Sequence, residues 1–462
     1  MLRDRYGQQN IFEQIGTVSI AMEPVLMELD KLLDDDTVLA AVKADLGQRY
    51  ARTLRLGRPS TPVEVILRML VVKHLYGWSY EQTEQWVSDS LILRQFCRVY
   101  LEKIPDDTTL LRWANEIEPD TLHVVLAHVV ELARQHKVTK GRKLRIDGTV
   151  VETNIHYPTD STLLADGVRV LSRLTQRANR VLKGVATRGR DWLKRQQQAA
   201  RQALLKITDL VRRRGELAAG ALQAAYADLL KVSQTVVEQA QQVRQQLQAQ
   251  TANTSRGLVQ QLTTFIPRVQ QVIGQTRRRV MQGQSVPAKE KLVSLFEPHT
   301  AIIRKGKWNA PVEFGRVIWL DEVEGGLITR FAVLEGNPPD ADQLGPSLDH
   351  HQSAFDQPPH LVAADRKVFS PQGEADAQQR RVKYVAIPQP GLVSAERRAH
   401  EQLPWFRSGR NWRAGLESRI SLLKRRYGLR RCLYHGHDGM ERWVGWGIVA
   451  YDLGTIAKAL TH

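Results

Sequence analysis

The feature that most limits the fold is a long block without proline, from Pro158 to Pro267, in which Gln, Arg, Ala and Leu dominate. Proline breaks helices, so a long block of strong helix formers without it favours long helices. Its apolar residues recur at helical spacing, for instance Leu204, Ile207, Leu210 and Val211. Segments with the alternation of β-strands lie on both sides of the block. The sequence therefore predicts an α/β domain that is interrupted by a helical insertion.

These changes of pattern divide the chain into three parts. We predict an N-terminal helical domain at residues 1–140 and an α/β core formed by residues 141–165 and 290–462. Residues 166–289 form the α-helical insertion, with the shape of an antiparallel hairpin or a small bundle.

The N-terminal domain contains several signals for short, capped helices. Thr61 is the predicted N-cap of the first, Ser79 and Gln82 form a capping box for the second, and Asp107 is the predicted N-cap of the third. Short helices joined by tight turns are what a helix-turn-helix needs, and Arg112 lies in the first turns of its candidate recognition helix. An ordinary three- or four-helix bundle is the alternative.

Strand patterns return after the insertion. The segment "GRVIWLDEVEGGLITRFAVLEG" predicts a hairpin, and Leu361–Ala364 predicts a short buried strand. We expect a helix from Trp412 to Tyr427, a short hairpin around "YHGHDGMERW", and a last apolar helix.

Charge and cysteine content restrict the partners and the compartment. The 462-residue chain has 66 Lys and Arg against 49 Asp and Glu, a formal net charge of +17. Such an excess favours a polyanionic partner, above all nucleic acid, although a well-solvated surface is the simpler explanation. Cys97 and Cys432 lack the spacing of a zinc site, and the chain begins without a signal-peptide pattern. We expect a cytoplasmic, nucleoid-associated protein with no membrane partner.

Two predicted strands end on an aspartate. In "LRIDGTVVETN" the alternation runs into Asp147, and "LVAAD" ends on Asp365. Aspartate is a poor strand former that is costly to bury, but side chains at strand ends project into the crevice where ligands bind. Two carboxylates there repel unless a cation lies between them, and Mg²⁺ prefers oxygen ligands. The alternative is that each Asp caps a turn or pairs with an arginine.

A third acid would complete a two-metal site. Glu417 lies one helical turn after Arg413 and two turns before Lys424, so the three side chains share one helix face. An ordinary surface pair is the alternative. Three other acids compete for this role, namely Glu152, Glu374 and Glu441.

Further candidates are basic or imidazole side chains. Lys305 and Lys307 in "RKGKW" fit contacts to DNA phosphates, as Arg112 does, but a solvated turn explains the two lysines equally well. His435 and His437 surround a glycine turn and do not predict a zinc site.

At these residues the sequence resembles a known family. The spacing Arg413, Glu417, Lys424 is similar to the Tyr/Arg/Glu/Lys signature of DDE transposases of bacterial insertion sequences, with Arg410 in place of the Tyr. The segments around Asp147 and Asp365 resemble the blocks of the first two catalytic acids, with Lys367 where the family has Gly. The segments "IIRKGKWNAPVEFG" and "VLEGNPPDADQL" resemble the ISNCY-like branch, and "TPVEVILRMLVVKHLYGW" resembles its N-terminal helices.

The resemblance implies an RNase H-like core in which Asp147, Asp365 and Glu417 hold two Mg²⁺ or Mn²⁺ ions, with Arg413 and Lys424 positioning the DNA strand. It implies a transposase that binds the terminal inverted repeats of an insertion sequence in double-stranded DNA. The enzyme would cleave DNA and transfer strands to a target, as a homo-oligomer.

Three alternatives remain open at this point. A catalytically inactive, transposase-derived DNA-binding protein would share the charge and the helical domain. An interaction protein organised around the insertion would lack DNA affinity, and a metal-dependent nuclease would cleave without strand transfer.

Overall fold

The computed structural model describes residues 22–48, 60–182, 189–213, 216–249, 253–307 and 310–461. Within them the helices are α1 (Pro24–Leu33), α2 (Asp36–Gln48), α3 (Val63–Tyr76), α4 (Tyr80–Asp89), α5 (Leu91–Phe96), α6 (Asp107–Asn115), α7 (Pro119–Gln135), α8 (Asp160–Val181), α9 (Arg190–Arg212), α10 (Glu216–Gln248), α11 (Asn253–Thr276), α12 (Leu344–Phe355), α13 (Pro371–Gln379), α14 (Ala395–Glu401), α15 (Pro404–Arg426) and α16 (Gly436–Leu460). The strands are β1 (Lys143–Thr153), β2 (Ala301–Lys307), β3 (Ala310–Val323), β4 (Leu327–Val333), β5 (Leu361–Ala364), β6 (Tyr384–Ala386) and β7 (Arg431–Cys432).

The chain forms two compact units. The first contains Met1–Asn154 and Arg316–His462, and the second contains Ile155–Gly315. Among the residues with described structure, no helix is long and apolar enough to cross a membrane. The fold is mostly helical with one mixed sheet, which is compatible with an α/β class.

The sheet of the first unit is built around β1. Its strand order is β3-β1-β5-β6, with β4 antiparallel to β3 and β7 parallel to β1. Strands β1, β5 and β6 run parallel to one another, and the register of β1 and β5 ends where Ile146 lies opposite Ala364. The carboxyl end of β5 therefore lies beside the middle of β1, just after Ile146.

Helix α16 forms the centre of the main hydrophobic core. It packs against α1, α3, α7 and β4, and its side chains from Met440 to Ala457 are almost all buried. The sequence prediction was wrong at the start of this helix, because "GHDGMERW" continues as helix and not as a hairpin. Trp443 explains the difference, since its indole packs into the core and donates a hydrogen bond to the carbonyl of Gly428 at 2.8 Å.

The N-terminal helices follow their capping signals with two shifts of one residue. The Ser79–Gln82 capping box is present at the start of α4. The N-cap of α6 is Asp106, whose carboxylate accepts the Thr109 amide at 2.7 Å, so Asp107 is the first helical residue. Helix α3 begins at Val63, one residue later than predicted.

The second unit is a bundle of the helices α8 to α11, followed by β2 and its antiparallel partner, the first part of β3. The bundle has an apolar interior of its own, which includes Leu171, Val237 and Leu262. Gly167 allows α8 to approach α11, because a Cβ there would lie 2.9 Å from Val269.

Candidate active site

Asp147 and Asp365 lie next to each other on neighbouring parallel strands. Each follows the last register pair, Ile146 with Ala364, at the edge of the sheet where β5 ends. Burial is the main reason why the pKa of Asp147 is raised above its usual 3.8, and the negative charge of Asp365 raises it further. The two acids are neighbours, but the prediction that a strand ends on Asp147 was wrong: β1 continues to Thr153, because its last residues pair with β7. Only Asp365 follows the end of its strand.

The Asp147 carboxylate has two hydrogen-bond donors. Its Oδ2 accepts from Nη2 of Arg413 at 2.7 Å, and its Oδ1 accepts from the Gly148 amide at 2.9 Å. Asp147 and Arg413 are only 18% and 16% exposed, so water screens this ion pair weakly. Both donors lower the Asp147 pKa and oppose the effect of burial.

Arg413 also holds Glu417. Its Nη1 lies 2.9 Å from Oε1 of Glu417, so one guanidinium links the carboxylates of Asp147 and Glu417. The Glu417 side chain is 66% exposed, and an exposed ion pair contributes little. Glu417 is thus near Asp147 but weakly held, and Arg413 occupies the position where a cation would link the two acids.

Two glycines let α15 carry these residues close to the sheet. A Cβ at Gly409 would lie 2.6 Å from Cβ of Ala386, and a Cβ at Gly415 would lie 2.5 Å from Nη1 of Arg145. Any larger residue would push the helix outward, together with Arg413 and Glu417.

Arg145 of β1 fixes the helix in this position. Its guanidinium is buried, pairs with Glu322 of β3 at 2.5 Å and donates to the carbonyl of Trp412. The same guanidinium stacks 4.7 Å from the Trp412 ring. This network joins β1, β3 and α15 directly below the candidate site.

A fourth acid, Asp340, belongs to the same neighbourhood. Burial raises its pKa, Lys367 lowers it, and the charge of Asp365 raises it. Asp365 heads a short 3₁₀ helix without using its carboxylate as a cap, so that group is not committed to a turn. Sequence reasoning missed Asp340, although "NPPDADQL" contains an acid immediately before a helix.

The competing acids have other partners. Glu152 pairs with Arg431 at 2.9 Å, and Glu374 pairs with Arg397 at 2.8 Å. Glu441 lies within helix α16 and not at the turn or strand edge that the sequence predicted. Of the four acids weighed for the third position, Glu417 is the one tied to Asp147 through a shared arginine.

The chemistry of the donors fits a divalent cation. Asp147, Asp365 and Glu417 supply hard oxygen ligands from the middle of β1, the end of β5 and one helix. Within the described parts of the chain, no three His, Cys, Asp or Glu side chains converge closely enough as they stand to hold a metal ion. The guanidinium of Arg413 lies between Asp147 and Glu417 and pairs with both.

The remaining candidate residues lie elsewhere. Lys424 lines a cavity near the end of α15, and Arg112 is exposed on α6. The side chains of Lys305 and Lys307 lie outside the described residues.

Comparison with known families supports a transposase relationship. Residues 19–116 match the model of a family described as Transposase domain (DUF772). That segment covers the first helices of the chain and ends before β1. Searches of curated proteins and of solved structures found no match. The N-terminal helices are therefore similar to a transposase domain.

Proposed function

We propose that the protein is a DDE-type DNA transposase of an insertion sequence, related to the ISNCY-like branch, with an RNase H-like core. It would bind the terminal inverted repeats of the element and catalyse divalent-metal-dependent cleavage and strand transfer. The match of residues 19–116 to a transposase domain supports the general class. A nucleoid-associated homo-oligomer on DNA is part of the same proposal.

One observation carries the catalytic part of the proposal. Asp147 and Asp365 lie side by side at a sheet edge, and α15 brings Glu417 to Asp147 through the shared Arg413. Burial of the Asp147 carboxylate is costly unless a positive charge lies beside it. This cost favours a site that binds a cation.

The chain's own residues have separable tasks in this mechanism. Asp147 and Asp365 would hold the divalent cation beside the reacting phosphate, and Glu417, being weakly paired, is free to turn toward them. Arg413 would leave one of its two carboxylates and contact the scissile phosphate. Arg145 acts only through position, since it holds α15 against β1 and β3.

Mg²⁺ or Mn²⁺ fits the oxygen donors of Asp147, Asp365 and Glu417, and when bound there it would activate the attacking hydroxyl and stabilise the leaving oxygen.

The test is cleavage of a labelled DNA fragment that carries the end of the element, with Mg²⁺ or Mn²⁺. We expect wild type and Glu152→Gln to nick the end, and Asp147→Asn to bind the same fragment without nicking it. Glu152 is the matched control because it lies on the same strand and pairs with a different arginine. Nicking by Asp147→Asn at the wild-type level would contradict the proposed site.

The Arg413 ion pairs also favour a second candidate, a transposase-derived DNA-binding protein without catalysis. An arginine that neutralises two of the three acids, with Lys367 beside the second aspartate, is compatible with a site that no longer takes up metal. Binding of the fragment without cleavage by wild type would identify this case.

A further inference from the structure

A cavity of about 1150 Å³ lies in the first unit, away from the four acids. It is bounded by the end of α3 and the start of α4, by Leu111 and Asn115 of α6, and by the segment from Lys424 to His435. Six of its lining residues are basic and none is Asp or Glu, as far as the described chain extends: Lys73, Lys424, Arg425, Arg426, Arg430 and Arg431.

Lys73 is the most unusual of these residues. It is only 4% exposed, and its ammonium lies over the rings of Tyr80, Trp443 and Tyr434 at 4.6, 5.4 and 5.7 Å. No described carboxylate lies within salt-bridge distance of it. Aromatic faces offset only part of the cost of burying a cation. Burial accordingly lowers the pKa of Lys73 from 10.5 to about 8.

Tyr76 and Trp78 line the cavity and belong to an aromatic stack that Trp86 extends beyond the lining. Tyr76 stacks on Trp78 with centroids 4.6 Å apart and planes 17° apart, and Trp78 stacks on Trp86 at 6.0 Å and 22°. The two outer rings, Tyr76 and Trp86, are about half exposed. Flat, exposed rings beside cations are what proteins use to hold the bases and the phosphates of single strands.

We infer that this cavity binds an unpaired nucleotide of a nucleic acid strand, with its phosphate on Lys73 and its base stacked on the outer face of Tyr76. A phosphate supplies the anion that Lys73 lacks, and a base extends the existing stack. A recessed cavity of this size admits a nucleotide-sized group and not a double helix. An acidic peptide would satisfy the charges but would leave the stack without a function.

The cavity also has a defined place relative to the acids. Lys424 follows Glu417 by seven residues on α15, which corresponds to about 10 Å along the helix axis and nearly the same face. The inference rests on the proposed function only in taking DNA as the nucleic acid, and single-strand binding itself requires neither metal nor cleavage.

The experiment measures binding of a dye-labelled six-nucleotide thymidine strand to the full chain by fluorescence anisotropy, without divalent metal. We expect Lys73→Met and Tyr76→Leu each to weaken binding by about tenfold or more, on the scale of losing one stacked base or one phosphate contact. Lys383→Met is the matched control, because Lys383 also lies over an aromatic ring, Tyr384 at 5.3 Å, but outside the cavity.

Three results would overturn the inference. Equal binding by Lys73→Met and Lys383→Met would mean that the cavity does not hold the phosphate. An unchanged affinity in Tyr76→Leu, together with Lys73-dependent binding of a hexaglutamate peptide, would assign the cavity to an acidic peptide. Equal losses for a longer, stably paired blunt duplex would assign it to double-stranded DNA. If wild type binds the strand in a Lys73-dependent way but never cleaves DNA, the proposed catalysis is contradicted and the present inference is not.

Discussion

The guanidinium of Arg413 lies 2.7 Å from the Asp147 carboxylate, although 266 positions of sequence separate the two residues. The contact joins helix α15 to strand β1 at the point where β1 passes the end of β5. Because Arg413 also holds Glu417, one cation compensates two of the three candidate metal ligands. A divalent ion at this site must therefore compete with an arginine.

We predict that Arg413→Gln binds Mn²⁺ more tightly than wild type. The glutamine keeps most of the side chain's volume but removes the positive charge, so the carboxylates of Asp147 and Glu417 lose their compensation. The expected change in dissociation constant is about tenfold or more, on the scale of the one to three pKa units that an adjacent arginine imposes on a carboxylate. Titration calorimetry measures it without any DNA.

Arg431→Gln is the control for this substitution. It frees Glu152 in the same way, but at an exposed pair away from Asp365. If both variants gained the same Mn²⁺ affinity, the gain would come from the lower net charge of the protein and would not locate the metal site at Arg413. If neither gained affinity, Arg413 would not compete with the metal.

A second prediction concerns Gly415 on α15. A Cβ there would lie 2.5 Å from Nη1 of Arg145, and that guanidinium cannot move away because Glu322 and the Trp412 carbonyl hold it. Gly415→Ala should therefore destabilise the protein by about 1–3 kcal/mol, the usual cost of overpacking. It should also reduce cleavage by moving Arg413 and Glu417 away from the sheet.

Urea denaturation measures the first effect, and the cleavage assay measures the second. Gly274→Ala on α11 is the matched helical control, because its added methyl group meets nothing within 4 Å. Removal of a helical glycine there should be neutral or stabilising by up to about 1 kcal/mol. Equal stability of the two variants would contradict the close approach of α15 to β1.

The site was partly predictable because strand and helix periodicity are local. The end of an apolar run correctly placed Asp365 after a strand, and the four-residue spacing of Arg413 and Glu417 predicted a shared helix face. The same pattern was wrong in ending a strand at Asp147, because β1 continues to Thr153. Whether β1 and β5 are neighbours is not local information, since the intervening chain contains the whole second unit. The link from Arg413 to Asp147 depends on that pairing and on the glycines of α15.

Several buried charged side chains could not be predicted from the sequence, because charged residues are ordinarily exposed. Lys73 continues an apolar helix and would ordinarily extend to solvent, but its ammonium is enclosed by Tyr80 of the next helix and by Tyr434 and Trp443 from a distant segment. Glu322 and Asp321 occupy a strand of strongly apolar character and are completely buried. Partners for such charges come from other elements, which no periodicity identifies.

A third prediction follows from Asp321, which is buried in β3 and accepts a hydrogen bond from Oγ of Ser347 at 2.7 Å. Burial raises its pKa from 3.8 to about 6. The folded protein therefore takes up this proton before the unfolded chain does, and the contribution of Asp321 to stability increases as the pH falls from about 6 toward 4. The full change is about 3 kcal/mol from a shift of this size.

Asp321→Asn should remove this component of the pH dependence. Unfolding free energies from urea titrations at pH 4, 5, 6 and 7 should give a smaller rise toward low pH in the variant than in wild type. Asp349→Asn, on the helix that carries Ser347, is the exposed control and should keep the wild-type slope. A slope in Asp321→Asn equal to that of wild type would show that Asp321 does not titrate in this range.

The last prediction is that binding of the six-nucleotide strand weakens as the pH rises from 7 to 9. Lys73, whose pKa burial lowers to about 8, loses its charge in this range. Its titratable neighbours do not change there: burial raises the pKa of Tyr80 to about 12 and that of Tyr434 well above 10, and lowers that of His74 well below 6.5. The other charged group that acts on both tyrosines is Arg442.

Anisotropy titrations should therefore give an affinity that falls by up to about tenfold in wild type and stays low and flat in Lys73→Met. If the affinity of Lys73→Met declined in the same way, a group other than Lys73 would titrate in this range. The phosphate contact would then belong to that group.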